Sequence, residues 1–304
     1  MTSAFLACDW GTTRLHAWVV EADGAVRKAR VFPLGVAGLK PGEARIRLHE
    51  EVRPAMGAAD LPVILCGMIG SNLGWTPVPY LDCPTDRATF AANLFAVPGA
   101  HPPAWIAPGL RGPGITGAPD VMRGEETKVF GWMSGDPSRM RGAHRLCMPG
   151  THPKWVLVED GRIVRFVTAM TGELFQVLRR YSVLKGDEPP ADPDAFRRGV
   201  EGAGDGGGLA ARLFSARSRV AGGGAPAAET ASYLSGLLIG AEIAGVAPLL
   251  AAPKTGPVTL IGDLALCAWY AAALRQNDLA SETCDGDAAV LAGLTALYRA
   301  EIRT

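Results

Sequence analysis

The chain of 304 residues is long enough for two domains or one large one. Its hydrophobic and charged fractions, 48% and 20%, are those of an ordinary globular protein. Lys+Arg and Asp+Glu both number 30, which argues against a global attraction to nucleic acid or an anionic membrane, so any anion site must be local. The six cysteines, at 8, 66, 83, 147, 267 and 284, include no Cys-x-x-Cys pair, which disfavours a zinc site or a disulfide framework and favours a reducing compartment. The start, MTSAFLACDW, lacks a basic region followed by a long apolar stretch. No signal peptide is expected, and the expected location is cytoplasmic.

In chain order, residues 3–8, 14–20 and 26–32 read as three strands. A helix is expected over 41–58 and a buried strand over 62–67, ending at a glycine. Residues 68–118 are rich in Pro and Gly and read as a long irregular segment, a kind that is usually functional in a compact domain. Residues 123–134 look helical and 135–144 resemble a linker. Strands follow at 145–148, 154–158 and 162–168, then helices near 172–185, 193–201, 208–217, 228–247, 263–276 and 287–302, with one strand at 257–261. The most apolar stretch, Tyr233–Leu250, contains Glu242, Pro248 and three glycines; a membrane span needs about 20 nearly uncharged residues, so a buried helix is expected. The fold class is therefore α/β and duplicated, with domains expected at 1–138 and 139–304.

The duplication is written in the residues. Cys8-Asp9-Trp10-Gly11-Thr12 is followed by Trp18 and Asp23-Gly24; Cys147-Met148-Pro149-Gly150-Thr151 is followed by Trp155 and Asp160-Gly161. The Cys-x-x-Gly-Thr offsets are 139 and the Trp and Asp-Gly offsets 137, so the second copy lacks two residues inside its hairpin. Each copy reads as strand, tight Gly-Thr turn, strand, Asp-Gly turn, strand. A Gly-Thr turn presents backbone N–H groups and a hydroxyl to an anion such as phosphate. Two such turns fit two half-molecules gripping one nucleotide.

Asp9, at a strand end before Gly11-Thr12-Thr13, could hold Mg²⁺ through water, or simply stabilise a tight turn. The copies differ here, since the 139-residue offset puts Met148-Pro149 in the second where the first has Asp9-Trp10, so only the first directs a carboxylate. Lys154 reads either as a phosphate contact or as a surface lysine, and His152 as a base or as a donor to the turn. Glu125 and Glu126 follow Gly124 at a helix start, where carboxylates complement the macrodipole; one of them could instead accept the proton of an attacking hydroxyl. The loop Gly67–Trp75 offers Ser71, Asn72 and Trp75 to a hydroxyl-bearing substrate, or is a glycine loop with a packed Trp. Gly202–Gly207 formally matches G-x-G-x-x-G but follows a charged helix rather than a strand, and no Walker-type or nucleophile-elbow motif is present.

These motifs resemble the acetate kinase/sugar kinase/heat-shock protein 70/actin superfamily and, within it, the 2-dehydro-3-deoxygalactonokinase family. The stretches are DWGTT at 9–13, GMIGSNLGW at 67–75, VMRGEET at 121–127, MPGTHPKWVL at 148–157, TGEL at 171–174 and LSGLLIGAE at 234–242. The resemblance implies two ribonuclease H-like domains with a central cleft, and transfer of the ATP γ-phosphate to the terminal (6-) hydroxyl of 2-dehydro-3-deoxy-D-galactonate. It implies Glu125 or Glu126 as base, with Asp120 ranked below them, and Asp9 acting on Mg²⁺. Gly11, Thr12, Thr13, Gly150, Thr151 and Lys154 would surround the phosphates, with Gly262 at the adenosine. Ser71, Asn72, Trp75 and Arg123 would meet the sugar acid, Arg123 as a carboxylate clamp. The chain departs from the family pattern at Asp263, where a small residue is expected, and at His16, where an Arg is expected. The partners implied are ATP and a small sugar acid, without nucleic acid or membrane; a homodimer is one option. Alternatives are a kinase for a related acid such as 2-dehydro-3-deoxygluconate, or a non-catalytic ATP-driven switch.

Overall fold

The computed structural model describes residues 4–184, 191–204, 207–250 and 256–301, and it is α/β with mixed sheets. The chain divides into two compact units: Met1–Gly142 with Glu159–Arg165 and Gly286–Thr304, and Ala143–Val158 with Phe166–Asp285. The last helix, Gly286–Glu301, thus belongs with the first unit although it ends the chain.

In the first unit the central sheet runs in the order Val26–Phe32, Leu15–Val20, Phe5–Trp10, Val63–Gly67, Ala104–Ile106, Phe95–Ala96. Phe5–Trp10 is antiparallel to Leu15–Val20 and parallel to Val63–Gly67. Central strand Val63–Gly67 is buried along its whole length, as its continuous apolar run requires. Val26–Phe32, at the edge, is exposed for six of its seven residues and carries Arg27, Lys28 and Arg30, charges that discourage further pairing. Leu6, Cys8 and Trp10 alternate onto one face, where Leu48, Val52 and Met56 join the core. On this unit's terminal helix, Tyr298 stacks on Phe5 at 4.0 Å between ring centroids.

Two expectations for this unit change. The helical run over 43–56 is interrupted by a π-turn, Leu48–Val52, between Glu43–Arg47 and Arg53–Met56. Pro54 explains it: its ring displaces the carbonyl four residues back and it has no N–H to give, so the preceding turn widens. The segment 68–118 is not irregular. It contains the Arg87–Ala92 helix and two strands of a three-stranded sheet that Pro119–Met122 completes, in the order Pro119–Met122, Gly109–Pro113, Tyr80–Asp82. Strands of three to five residues broken by Pro and Gly leave no readable period.

The other large sheet has the strand order Ser281–Asp285, Val258–Gly262, Ala143–Met148, Lys154–Glu159, Arg162–Thr168. It repeats the order of the first unit, with Val258–Gly262 in the place of Val63–Gly67, and again the added strands are parallel. Ser281–Asp285 was not expected, because SETCD has little apolar character and lies half-exposed at the sheet edge. The expected helix over 208–217 is two short helices, Gly208–Leu213 and Ser215–Ala221. The apolar stretch forms the Thr230–Val246 helix within a helical run, Ala227–Leu250, that is long and apolar enough by composition to span a bilayer, yet 67% of its most apolar window is buried within the protein.

Candidate functional site

In the first unit three chain segments meet at Asp9. The residue lies at the end of Phe5–Trp10, in register with Cys66 on the neighbouring parallel strand. That strand ends at Gly67 (φ +87°), and the Glu125–Ser134 helix begins after Gly124 (φ +111°). The two glycines pack against each other: a Cβ on Gly124 would stand 3.1 Å from Gly67 Cα, and one on Gly67 would stand 2.8 Å from Trp10 O and 3.1 Å from Asp9 Oδ1. Only residues without a side chain, tolerant of positive φ, allow this convergence. The helix then aims Lys128 at Asp9, with Nζ 3.8 Å from Oδ2. Burial opposes the Lys128 charge, but Asp9, then Glu125, Cys66 and Asp287 outweigh it and hold its pKa above the ordinary value. Sequence reasoning missed Lys128; its spacing three residues after Glu125, on one helix face, was the available signal.

The two adjacent glutamates occupy different environments. Glu125 is partly exposed, and its Oε2 accepts the Arg123 N–H at 3.1 Å. Glu126 is fully buried, and both its oxygens accept the Gly124 N–H, at 2.7 and 2.9 Å. Burial, then the neighbouring Glu125 charge, pushes its pKa up from 4.5 to about 8.

The residues expected to meet a sugar acid sit in the loop beside this convergence. Ser71 is engaged locally: its hydroxyl donates to Met68 O at 2.7 Å and accepts the Leu73 N–H at 3.2 Å. Asn72 is exposed, and Trp75 packs against the core of the first unit. Arg123 is buried, donates from Nη2 to Val78 O at 2.6 Å and stacks on the Tyr80 ring at 4.3 Å, while its Nε and Nη1 lack a hydrogen-bond partner among the described residues. The structure therefore ties the 70–80 loop to the helix start through Arg123. Asp120, on the small sheet, accepts the N–H of Val121 at 2.8 Å. His16, standing where an Arg was expected, places Nδ1 3.2 Å from Asp287 Oδ1, and this hydrogen bond raises its pKa against the effect of burial.

Both Gly-Thr turns are seated in the same way. In the first unit Gly11 N–H bonds Arg14 O at 2.9 Å, while Val36 and Ala37 donate to Gly11 O and Thr12 O, each at 3.1 Å. Thr12 and Thr13 are exposed. Here Gly35 lies so close that a Cβ would fall 2.1 Å from Thr12 O. In the second unit Glu173 N–H bonds Thr151 O at 2.9 Å, and a Cβ on Gly172 would fall 2.2 Å from Gly150 O. Gly35 and Gly172 are 137 residues apart, the offset of the Trp and Asp-Gly pairs, so the repeat includes a seating glycine that pattern reading overlooked. Lys154 is buried, not on the surface, and donates to His152 O at 3.1 Å. His152 pairs with the Glu173 carboxylate rather than donating to the turn.

Beside the second turn lies a cavity of about 430 Å³. Gly150 and Thr151 stand at its rim; Phe175, Leu266, Trp269 and Tyr270 give it apolar walls, and Gln176 and Ser235 supply polar groups. A flat aromatic base with a phosphate tail fits such a slot. Gly262 approaches Pro149, just before the turn: a Cβ there would stand 3.6 Å from Pro149 O. Asp263 has a structural task, since its Oδ1 accepts the Leu266 N–H at 2.9 Å and caps the Leu264–Gln276 helix. The wall residues were not anticipated, because Phe175 lies on an amphipathic helix and Trp269 and Tyr270 on an apolar one, with no motif to mark them.

Fold and site together define an α/β protein built twice on one strand order, each copy carrying an anion-type Gly-Thr turn, with a nucleoside-sized slot in one copy and an acidic helix start in the other. The chain belongs to the 2-keto-3-deoxy-galactonokinase family, whose model matches residues 9–297. It is 36% identical over 308 residues to a probable 2-dehydro-3-deoxygalactonokinase of Rhizobium meliloti (strain 1021), and 34% identical over 305 residues to the 2-dehydro-3-deoxygalactonokinase of Escherichia coli (strain K12), covering 99% of each chain in both cases. The crystal structure of a candidate 2-dehydro-3-deoxygalactonokinase from Sinorhizobium meliloti superposes with a TM-score of 0.87 at 36% identity, over 98% of this chain and 99% of that one.

Proposed function

We propose that this protein is an ATP-dependent kinase that phosphorylates the terminal (6-) hydroxyl of 2-dehydro-3-deoxy-D-galactonate. Family membership over residues 9–297 carries the reading; the local geometry divides the work among residues. Glu125 is the base that takes the acceptor hydroxyl's proton, because it is the partly exposed member of the pair, while buried Glu126 shapes the helix start by holding the Gly124 N–H. Arg123 and the loop carrying Ser71, Asn72 and Trp75 receive the sugar acid. The second unit's slot takes adenosine beside Gly262, with Gly150, Thr151 and Lys154 at the phosphates; Gly11, Thr12 and Thr13 of the first unit serve the same anion. Such a transfer needs chiefly positioning and charge stabilisation.

Asp9 fits a magnesium site of the hydrated kind: its carboxylate is 19% exposed and its nearest cation, Lys128, stands off at 3.8 Å. Among the described residues no group of three or more His, Cys, Asp or Glu could enclose a metal, so the ion would rest on Asp9, water and nucleotide phosphates. When bound, Mg²⁺ would neutralise phosphate charge. Two ribonuclease H-like domains divided near residue 138, the helix Gly286–Glu301 returning to the first, with both substrates reached from a central cleft, belong to the same proposal. So do a cytoplasmic location, no nucleic-acid or membrane partner, and a homodimer.

The test is a panel of 2-dehydro-3-deoxy sugar acids with ADP release as readout. The galactonate should be turned over with the highest kcat/KM. Preference for the gluconate epimer would reassign the substrate, and turnover of none would favour a nucleotide-driven switch.

A further inference from the structure

The nucleoside slot of the second unit rests on a buried polar junction with no part in the chemistry above. Glu242 lies on the Thr230–Val246 helix among apolar neighbours and is 6% exposed. Its Oε1 accepts the Trp155 Nε1–H at 2.6 Å and its Oε2 accepts the Tyr270 O–H at 2.9 Å. The Thr171 side chain makes a third hydrogen bond to the carboxyl group. Burial raises the Glu242 pKa, and the bonds to Thr171, Trp155 and Tyr270 pull against that rise. An uncompensated carboxyl there would be strongly destabilising; one met by three donors is a stiff junction.

Two of the donors line the slot, and the third lies on the strand that follows its turn. Tyr270 places its ring in the cavity from the Leu264–Gln276 helix. Thr171 also lines the cavity, and it precedes Gly172, whose backbone seats the Gly150–Thr151 turn. Trp155 is the second residue of the strand that leaves that turn. Glu242 thus joins the base end of the slot to its phosphate end while touching neither end of a bound nucleotide.

We propose that Glu242 is a positioning residue for the nucleotide, fixing the spacing between the Tyr270 wall and the Gly150–Thr151 turn. This rests on the reading of the slot as the adenosine site. Hydrogen-bond inventory explains why a carboxylate is needed: the indole N–H only donates, and a carboxylate accepts from all three partners. Glutamine has nearly the same volume but a single acceptor oxygen. That oxygen must stay with Trp155, so the glutamine NH₂ faces the Tyr270 hydroxyl, which must turn over or move away.

The experiment is calorimetric titration of ADP into wild type, Glu242→Gln, Tyr270→Phe and the double variant, with steady-state kinetics alongside. Loss of about one charge-assisted hydrogen bond should weaken ADP binding about tenfold in Glu242→Gln. The KM for ATP should rise in step, with kcat and the sugar-acid KM within about twofold, the signature of lost uniform binding. Adding Tyr270→Phe removes the mismatched hydroxyl and should restore part of the affinity. If Glu242→Gln does not fold, Tyr270→Phe alone decides, with ADP binding about threefold weaker expected from losing one of the carboxyl group's three hydrogen bonds while the other two keep the junction together. Normal ADP binding in wild type together with either unchanged binding in the folded variants or no restoration in the double variant overturns the proposal alone. Failure of wild type to bind ADP overturns the slot reading and the proposal with it.

Discussion

Replacing Glu125 and Glu126 in turn by glutamine should give opposite results, although the residues are neighbours and chemically identical. Glu126 is buried with a pKa of about 8, so at pH 7 about nine in ten molecules carry it neutral. Glutamine is close in shape to the neutral acid and keeps an oxygen for the Gly124 N–H, so Glu126→Gln should keep kcat at pH 7 within about threefold. Its effect should appear in stability against pH. Because the folded pKa lies above the ordinary 4.5, the stabilising contribution is complete below about pH 4.5 and is lost as pH rises through about 8. Wild type should therefore lose on the order of a few kcal/mol across that window that Glu126→Gln does not lose. Glu125→Gln removes the acceptor for the hydroxyl proton and should lower kcat by about 10²–10⁴, or about 3–5 kcal/mol of transition-state stabilisation, with the KM for ATP little changed. ADP release coupled to NADH oxidation measures the first quantity, and thermal melts from pH 5 to 8.5 the second. Near-full turnover by Glu125→Gln, or a hundredfold loss in a well-folded Glu126→Gln, would refute the assignment.

Three further outcomes are expected. Gly172→Ala would place a methyl 2.2 Å from Gly150 O and push the turn aside, weakening ADP binding at least about fivefold, as overpacking of about 1–3 kcal/mol implies; Gly150→Ala meets no atom within 4 Å and should leave the melting temperature unchanged. Asp9→Asn should raise the Mg²⁺ concentration for half-maximal rate about tenfold or more, read in an Mg²⁺ titration after chelator treatment; an unchanged titration would remove Asp9 from the metal's surroundings. His16→Gln should cost less than about 1 kcal/mol, since the Asp287 partner is 58% exposed. That cost should be present below pH 6.5 and vanish as pH rises through the raised pKa of His16, so urea denaturation at pH 6 and pH 8.5 should differ in the size of the loss.

Much of the scaffold was legible because both copies follow simple periods. Apolar strands, Gly-Thr turns and Asp-Gly hairpins carry local signals, and the 139 and 137 offsets tied them together. What stayed hidden depends on approach across the fold. Gly35 and Gly172 act on turns more than 20 residues away, and neither has a local signature beyond being glycine. The difference in environment between Glu125 and Glu126 comes from burial of a single side chain at the helix start. Lys128 reads as one more helix-surface charge until the Gly67–Gly124 packing brings Asp9 within 3.8 Å. Ser281–Asp285 has neither an apolar run nor alternation, and its strand form comes from pairing with Val258–Gly262.

The central claim is phosphoryl transfer from ATP to one particular hydroxyl, and the position of the phosphate in the product tests it most directly. Purified protein with ATP, Mg²⁺ and 2-dehydro-3-deoxy-D-galactonate should give a product whose ³¹P resonance couples to the terminal methylene protons, with one ADP formed per phosphate ester. Phosphate on another carbon, or ADP accumulating with free inorganic phosphate and no ester, would contradict the account.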